Sequence, residues 1–398
     1  MANSLIDPVV KEYLFHDAPL RSPVNKGILA VIGAVLVVLA FFGWGVLTAK
    51  NSLFEVLLWV PYSLAGSILA YLVIAFLDRE RRVRVFHFLV MLSVFLVTGP
   101  VAAFLNEHSP LKLWTVGFFE EGLKILPVLL LAIYLPNLIR TRKDGLVYGA
   151  LAGMAFNIIE IGSYVAIALH DHPVLDALYM HSTRLGVWGF GSHIIWSAFA
   201  GLGIGYAAES TARGWQKWKY AILFFLLAAV GHSLYDLGGS AVGMVGIAFA
   251  ETWWTGTGFQ EAFAITGTAP GPVRDGMKYG QYIWNLAFIV VLIVQIRRSF
   301  AWENKLQVEQ LAGEDQSVIT PNELKKVKGE RFFFKRRYGD LPKAVGAKIV
   351  LYQNLLVMQK HTAALRGVPL NKVEPVAALR GAIQALRGTP PAKAEKLS

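Results

Sequence analysis

Residues 113–135 read LWTVGFFEEGLKILPVLLLAIYL, an apolar run interrupted by Glu120, Glu121 and Lys124. At about 1.5 Å per residue, a helix of this length crosses the roughly 30 Å of hydrocarbon in a bilayer. Ionisable side chains at membrane depth cost free energy unless they pair or face a wet cavity. The segment therefore predicts a membrane-spanning helix that contributes to a polar site.

The composition of the whole chain is typical of a membrane protein. Of its 398 residues, 55% are hydrophobic and 16% are charged, and the mean hydropathy is +0.48. A soluble domain of this length does not need so apolar a composition. Because the chain contains no cysteine, disulfides and thiolate ligands are excluded, and a metal would need His, Asp and Glu side chains.

Eight segments are long and apolar enough to span a bilayer, which predicts an all-α, polytopic helix bundle. They cover residues 27–47, 53–77, 85–105, 113–135, 146–169, 185–208, 220–243 and 279–296. The predicted organisation is an N-terminal cytoplasmic segment (1–26), an eight-span membrane domain (27–298) and a small basic cytoplasmic tail (299–398). The tail is predicted to be helical over 344–365 and disordered from residue 389.

Positive charges in the connecting segments orient the bundle. The loops after spans two, four, six and eight carry most of these charges, among them Arg79, Arg140 and Arg213. By the positive-inside rule, both termini are expected in the cytoplasm. Much of the net charge of +11 lies in these loops and in the tail, which favours contact with the anionic inner leaflet over nucleic-acid binding.

Four short polar signatures lie on four different spans. They are Glu120-Glu121 with Lys124, Phe156 with Glu160, His193 with Gly201, and His232 with Asp236. With the orientation above, these side chains lie about 11–17 Å from the outer face. Residues four apart share a helix face, so His232 and Asp236 point the same way. We expect the four spans to bring acids and imidazoles together in the outer half of the bilayer.

These side chains are the types that peptide hydrolysis inside a membrane needs. A carboxylate in a partly dry pocket can act as general base on water, and imidazoles can share a proton, polarise a carbonyl or bind a metal. Two alternatives use the same groups: a membrane transporter or proton-coupled carrier, and a non-catalytic scaffold that uses them for helix association. The sequence contains no inverted repeat and no paired broken helices, which disfavours a carrier.

The signatures, in this order, resemble those of the PrsW intramembrane proteases, distant relatives of the CAAX-processing membrane proteases. The family pattern is EExxK, FxxxE, a histidine with a trailing glycine, and HxxxD, matched here over residues 120–236. The resemblance implies a hydrolase of the bacterial inner (cytoplasmic) membrane. Its partners would be the lipid bilayer and a single-span membrane protein, cut near the outer face in the manner of regulated anti-sigma-factor processing.

The resemblance also implies roles for the site residues. Glu120 or Glu121 would activate water, and Lys124 would hold the pair. Glu160 and His193 would complete the water or metal site.

In the same way, His232 with Asp236 would orient the substrate or stabilise the oxyanion. The residues leave open whether the mechanism uses a metal, Zn²⁺ or another divalent ion, or glutamate alone. For a metal site, Glu160, His193 and His232 are the predicted ligands.

Overall fold

A computed structural model describes the chain over most of its length. It covers residues 6–49, 53–78, 83–109, 115–171, 191–236, 271–330, 332 and 336–388, with the backbone alone at 56, 164–171, 234, 236 and 271–284. All regular secondary structure within these ranges is helical, so the predicted all-α class is confirmed.

Prolines set the limits of the first helices. Helices α1 (Pro8–Phe15) and α2 (Pro23–Leu47) both begin with proline, at a position where the missing N–H costs no intrahelical bond. The predicted span 53–77 consists of α3 (Leu53–Leu58) and α4 (Val60–Leu77). The chain breaks between them because Pro61 cannot donate to the preceding turn.

A proline also interrupts the third predicted span. Helix α5 (Arg84–Ser93) passes through a π-helical turn (Val94–Thr98) into α6 (Gly99–His108). Pro100 has no N–H for the carbonyl of Leu96 four residues earlier, and that carbonyl instead accepts a bond of 3.1 Å from Trp44 Nε1 on α2. A Cβ on Gly43 would lie 1.8 Å from the carbonyl oxygen of Pro100, so α2 packs backbone against backbone on α6.

Four helices form the centre of the bundle: α7 (Val116–Tyr134), α8 (Arg142–Asp171), α9 (Ser192–Glu209) and α10 (Trp215–Asp236). Helix α8 is the innermost, with 94% of its most apolar window buried. Glycines bring α8 and α9 into close contact: a Cβ on Gly149 would lie 2.2 Å from the carbonyl oxygen of Ser197.

The last membrane helix is longer than predicted. The span was expected over 279–296, whereas α11 runs from Gly271 to Leu311. The apolar run ends at residue 296, but the helix continues beyond it because the last turns of α11 pack against the tail. Buried Leu306 and Leu311 form a small core there with Val357 and Met358.

The tail folds into three further helices, α12 (Pro321–Lys328), α13 (Lys343–Arg366) and α14 (Glu374–Leu386). The predicted helix over 344–365 is confirmed to within one residue at each end. Residues 389–398, predicted to be disordered, lie outside the described residues. Side chains tie the tail to the start of the chain, since Tyr352 Oη donates to Asp7 Oδ1 at 2.8 Å.

Among the described residues, five helical stretches are long and apolar enough to cross a membrane. They are Pro23–Leu47, Leu53–Leu77, Arg84–His108, Arg142–Ser163 and Asn285–Leu311. They correspond to five of the eight predicted spans. The other three correspond to α7, which carries three charged residues, and to α9 and α10, whose predicted spans extend beyond the described residues. Eight spans therefore remain a prediction.

Candidate active site

Four helices bring ionisable side chains to one buried point. Helix α7 contributes Glu120, Glu121 and Lys124, α9 contributes His193, and α10 contributes His232. Glu160 of α8 completes the group. Glu121 and Lys124 are 0% exposed, so their charges depend entirely on protein partners. The expected convergence of these signatures is present in the structure.

The ammonium of Lys124 lies at the centre of this cluster. Its Nζ donates to Glu120 Oε2 at 3.1 Å and to Glu121 Oε1 at 2.8 Å, and it lies 2.7 Å from His193 Nδ1. The same ammonium stands 3.9 Å above the ring centroid of Phe156. One lysine thus links α7 to α8 and α9.

The bonds of Lys124 fix the tautomer of His193. A protonated lysine only donates hydrogen bonds, so His193 Nδ1 must accept. The ring proton then lies on Nε2, which donates to Glu160 Oε2 at 2.5 Å. The side chain of Glu160 therefore orients the imidazole, and the lone pair of Nδ1 points to the centre of the cluster.

His232 has the opposite tautomer for the same reason. Its Nδ1 lies 3.0 Å from Glu121 Oε1, and because a carboxylate accepts, Nδ1 carries the proton. Its Nε2 lies 3.6 Å from Glu120 Oε2. The indole of Trp196 stacks on the imidazole with centroids 4.3 Å apart and planes at 22°, which holds the ring in this orientation.

The ligand atoms of Glu120, His193 and His232 all lie within 4.8 Å of one another. Two histidines and one glutamate are the ligand set of several catalytic zinc sites. Metal-bound histidines usually donate their second ring N–H to a carboxylate, as both imidazoles do here. Glu160, which was predicted as a ligand, is outside this group and bonds to His193 instead.

A cavity of about 400 Å³ adjoins the cluster between α2, α6, α7 and α8. Glu120 and Glu160 lie in its wall, together with Asn106, and most of its remaining wall is apolar. Asn106 Nδ2 donates to Glu120 Oε1 at 2.9 Å. The cavity has room for a substrate segment and water beside two carboxylates of the cluster, and Glu107 also lines it.

The comparison with known families agrees with this geometry. Residues 33–257 match the model of the PrsW family intramembrane metalloproteases, a match over more than half of the chain. The chain belongs to the PrsW family. It is thus an integral membrane protein and an intramembrane protease, whose substrate is another membrane protein. No curated protein and no solved structure matches the chain.

Two further members of the PrsW signatures are Asp236 and Gly201. Asp236 ends α10 one turn after His232, and its side chain lies outside the described residues. Gly201 packs against α8, where a Cβ on it would lie 2.2 Å from the carbonyl oxygen of Gly145. The trailing glycine therefore sets the distance between α8 and α9.

Sequence reasoning missed three residues of the PrsW site. Ser197 Oγ donates to Glu121 Oε2 at 2.7 Å, Trp196 stacks on His232, and Asn106 bonds to Glu120. Ser197 follows His193 by four residues, so helical spacing could have placed it on the same face. Asn106 has no such signal, because only the packing of α6 against α7 brings it to Glu120.

Proposed function

We propose that this PrsW-family protein hydrolyses a peptide bond at the four-helix cluster, with a divalent metal held by Glu120, His193 and His232. The observation that supports this most directly is the orientation of the two imidazoles. Each donates one ring N–H to a carboxylate, Glu160 for His193 and Glu121 for His232, and directs its other ring nitrogen into the cluster. His232 Nε2, which carries no proton in this tautomer, lies 3.6 Å from Glu120 Oε2, and a metal ion between the two would account for this approach of a lone pair to a carboxylate.

The charge balance of the cluster also favours a dication. Three carboxylates, those of Glu120, Glu121 and Glu160, surround one ammonium, that of Lys124. With neutral histidines, the described side chains carry an excess of two negative charges in a buried site. Uncompensated buried charge is strongly unfavourable, and a bound divalent cation would neutralise it.

The proposed roles follow from position. A metal bound here would supply Lewis-acid activation of the scissile carbonyl and of water. Glu160, on the cavity wall, would accept a proton from the attacking water and pass it to the leaving amide nitrogen. Glu121 accepts from Lys124, Ser197 and His232 at once, so we assign it a positioning role.

The resemblance and the charge distribution support finer proposals. We propose eight spans, with both termini in the cytoplasm of a bacterium and the inner membrane as the location. The domain limits remain 1–26, 27–298 and 299–398. The substrate would be a single-span protein of the anti-sigma-factor type, cut near the outer face. Zn²⁺ suits the ligand set best.

Metal analysis combined with a reconstituted cleavage assay tests the mechanism. We expect Glu120→Gln to lose both bound metal and cleavage. At saturating metal, Glu160→Gln should retain the metal and lose about 10²–10⁴-fold in cleavage rate, the usual contribution of a general base, while its metal affinity falls about 10–100-fold because His193 loses its carboxylate partner. Glu309→Gln, an exposed glutamate on α11, is the matched control and should keep both.

Two results would contradict the proposal. Full cleavage by metal-free wild-type protein would exclude the metal and leave a glutamate-only mechanism. Unchanged cleavage by Glu160→Gln would exclude Glu160 as the base while leaving the metal site intact.

A further inference from the structure

A second polar cavity lies far from the protease site. It has a volume of about 370 Å³ and lies between the C-terminal ends of α7 and α9, the start of α10, and tail helix α13. Ala132 of α7 is in its wall, about 18 Å along the helix from Glu120 at 1.5 Å per residue. The proposed catalytic residues are therefore not part of it.

The wall of this cavity is rich in positive charge. It contains Arg140, Arg213, Lys217 and Arg366, and its one acidic residue is Glu209. The carboxylate of Glu209 already receives bonds of 2.6–3.1 Å from the guanidinium of Arg142. The excess of cations predicts an anionic ligand.

Three of these cations are available to a ligand. Arg213 and Arg366 are exposed and Lys217 is half-buried, and none of the three forms an ion pair with another described residue. Lys217 lies one turn after Arg213 at the start of α10, where the positive end of the helix dipole adds to their field. A phosphate group is the anion that such an arrangement favours.

The fourth cation fixes the tail to this cavity. Arg140 follows α7, and its Nη1 donates to the Met358 carbonyl at 2.9 Å and to Thr362 Oγ1 at 3.0 Å, both on α13. The cavity is thus closed on one side by the bundle and on the other by the tail. A ligand in it would contact both.

An apolar groove borders the same three helices nearer the membrane region. The groove has a volume of about 430 Å³ and lies between α7, α9 and α10. Three residues of its wall lie close in sequence to residues in the wall of the basic cavity. Ile133 follows Ala132, Trp218 follows Lys217, and Ile204 lies one turn before Ala208. The two spaces therefore border the same three helices and reach the same level along them.

We propose that the basic cavity and the groove together bind one anionic phospholipid. Arg213, Lys217 and Arg366 would bind the phosphate, and an acyl chain would lie in the groove. A free phosphate would use the cavity alone, whereas a phospholipid matches both the cations and the apolar surface that extends from them. Basic pockets between helices at a membrane surface bind lipid headgroups in this way. The bound lipid would stabilise the docked tail.

Native mass spectrometry and thermal unfolding of the detergent-solubilised full chain test this site. The probes are phosphatidylglycerol, phosphatidylcholine with the same acyl chains, and sn-glycerol 1-phosphate. We expect wild type to bind one phosphatidylglycerol in preference to phosphatidylcholine, with a higher Tm, and to bind glycerol phosphate much more weakly.

A charge-matched pair of variants separates this site from general attraction to anionic lipid. Arg213→Gln with Lys217→Gln should weaken phosphatidylglycerol binding about tenfold. Lys219→Gln with Arg298→Gln removes the same charge from exposed positions outside the cavity and should bind as wild type does. Equal affinities of the two double variants, or no preference in wild type, would overturn the proposal. Equal binding of glycerol phosphate and phosphatidylglycerol would show that the ligand of the cavity is a free anion and not a lipid.

Discussion

Glu121 shows how much of the site depends on a single carboxylate. It is completely buried, and its two oxygens accept from three side chains on three helices. Ser197 is its hydroxyl donor, at 2.7 Å. The loss of any donor leaves a buried charged acceptor incompletely bonded, which is more costly than the loss of an exposed hydrogen bond.

The hydroxyl of Ser197 gives a direct test. We expect Ser197→Ala to lower the free energy of unfolding by about 1–3 kcal/mol, because Glu121 Oε2 loses its donor in a buried site. Thermal unfolding in detergent measures this. Ser93→Ala removes a hydroxyl that bonds only to its own helix, at Leu89 O, and should change Tm little. Equal Tm shifts for the two variants would contradict the role of Ser197.

Lys124 competes with the proposed metal for the same atoms. Its Nζ contacts Glu120 Oε2 and His193 Nδ1, both assigned as ligands. Lys124→Met should destabilise the metal-free protein by about 3–5 kcal/mol, since buried carboxylates lose their counter-charge. The same variant should bind a divalent metal more tightly than wild type.

Calorimetric titration with Zn²⁺ and unfolding with and without metal measure both effects of Lys124→Met. Lys305→Met, whose side chain is 76% exposed on α11, is the control and should resemble wild type. Weaker metal binding by Lys124→Met would show that the lysine supports the metal site instead of competing with it.

At the residue scale, the sequence could predict the ionisable members of the site but not their partners. Glu120, Lys124, His193 and His232 are recognisable because charge inside an apolar run is costly and so has a function. Asn106 is a common residue at a helix end, and only tertiary packing gives it a role. The proposal of Glu120 in place of Glu160 as the third ligand likewise depends on side-chain geometry that spacing does not contain.

At the scale of elements, the contact between α8 and α9 sets the position of His193. A Cβ on Gly153 would lie 2.2 Å from the carbonyl oxygen of His193. Two backbones at this distance leave no room for a methyl group, and backbone atoms cannot move aside as a flexible side chain can. The glycines of α8 are therefore part of the site without supplying any chemical group.

We expect Gly153→Ala to reduce cleavage by about 10²-fold, because a shift of about 1 Å in catalytic groups has that effect. No polar group is removed, so lost activity would report on geometry alone. Gly33→Ala on α2 is the control: no atom lies within 4 Å of its added Cβ, and activity should be unchanged. The reconstituted cleavage assay compares the two. Wild-type activity in Gly153→Ala would show that the helices can separate without harm to the site.

Hydrophobic periodicity predicted where the helices lie more accurately than it predicted where they are interrupted or extended. Helix α13 was predicted almost to the residue from its helical apolar spacing, and the structure shows that it ends at Gly367, with φ +65°. The π-helical turn between α5 and α6 was not predicted, since a proline within an apolar run does not reveal how the chain accommodates it. The continuation of α11 into the tail was missed because it depends on packing against α13.

At the scale of the whole molecule, ion pairs hold the tail together. Glu314, after α11, accepts from Lys360 at 2.6 Å and from Arg380 at 2.8 Å, which joins α13 and α14 to the end of the last membrane helix. Burial would raise the pKa of Glu314, but hydrogen bonds from Arg380 and Lys360 outweigh it and lower that pKa below its ordinary value.

The lowered pKa of Glu314 predicts an acid-sensitive tail. A carboxyl group with a depressed folded-state pKa stabilises the protein above its unfolded pKa of about 4.5, and this stability is lost as pH falls through the folded value. We expect Glu314→Gln to be less stable by about 1.5–3 kcal/mol at pH 7 and to depend less on pH below 4.5. Unfolding measured from pH 7 to 3 tests this, with exposed Glu309→Gln as the control. Parallel pH curves for wild type and Glu314→Gln would contradict the assignment.

The innermost position of α8 has a consequence for biosynthesis. This helix leaves the ribosome before α9 and α10. Until α9 is inserted, Glu160 lacks the hydrogen bond from the imidazole of His193. A nascent chain that stops after α8 would hold this carboxylate at membrane depth without His193, which is unfavourable. We therefore expect α8 to be retained beside the translocon until its later neighbours arrive, so that the membrane domain assembles only when nearly all of it has been translated.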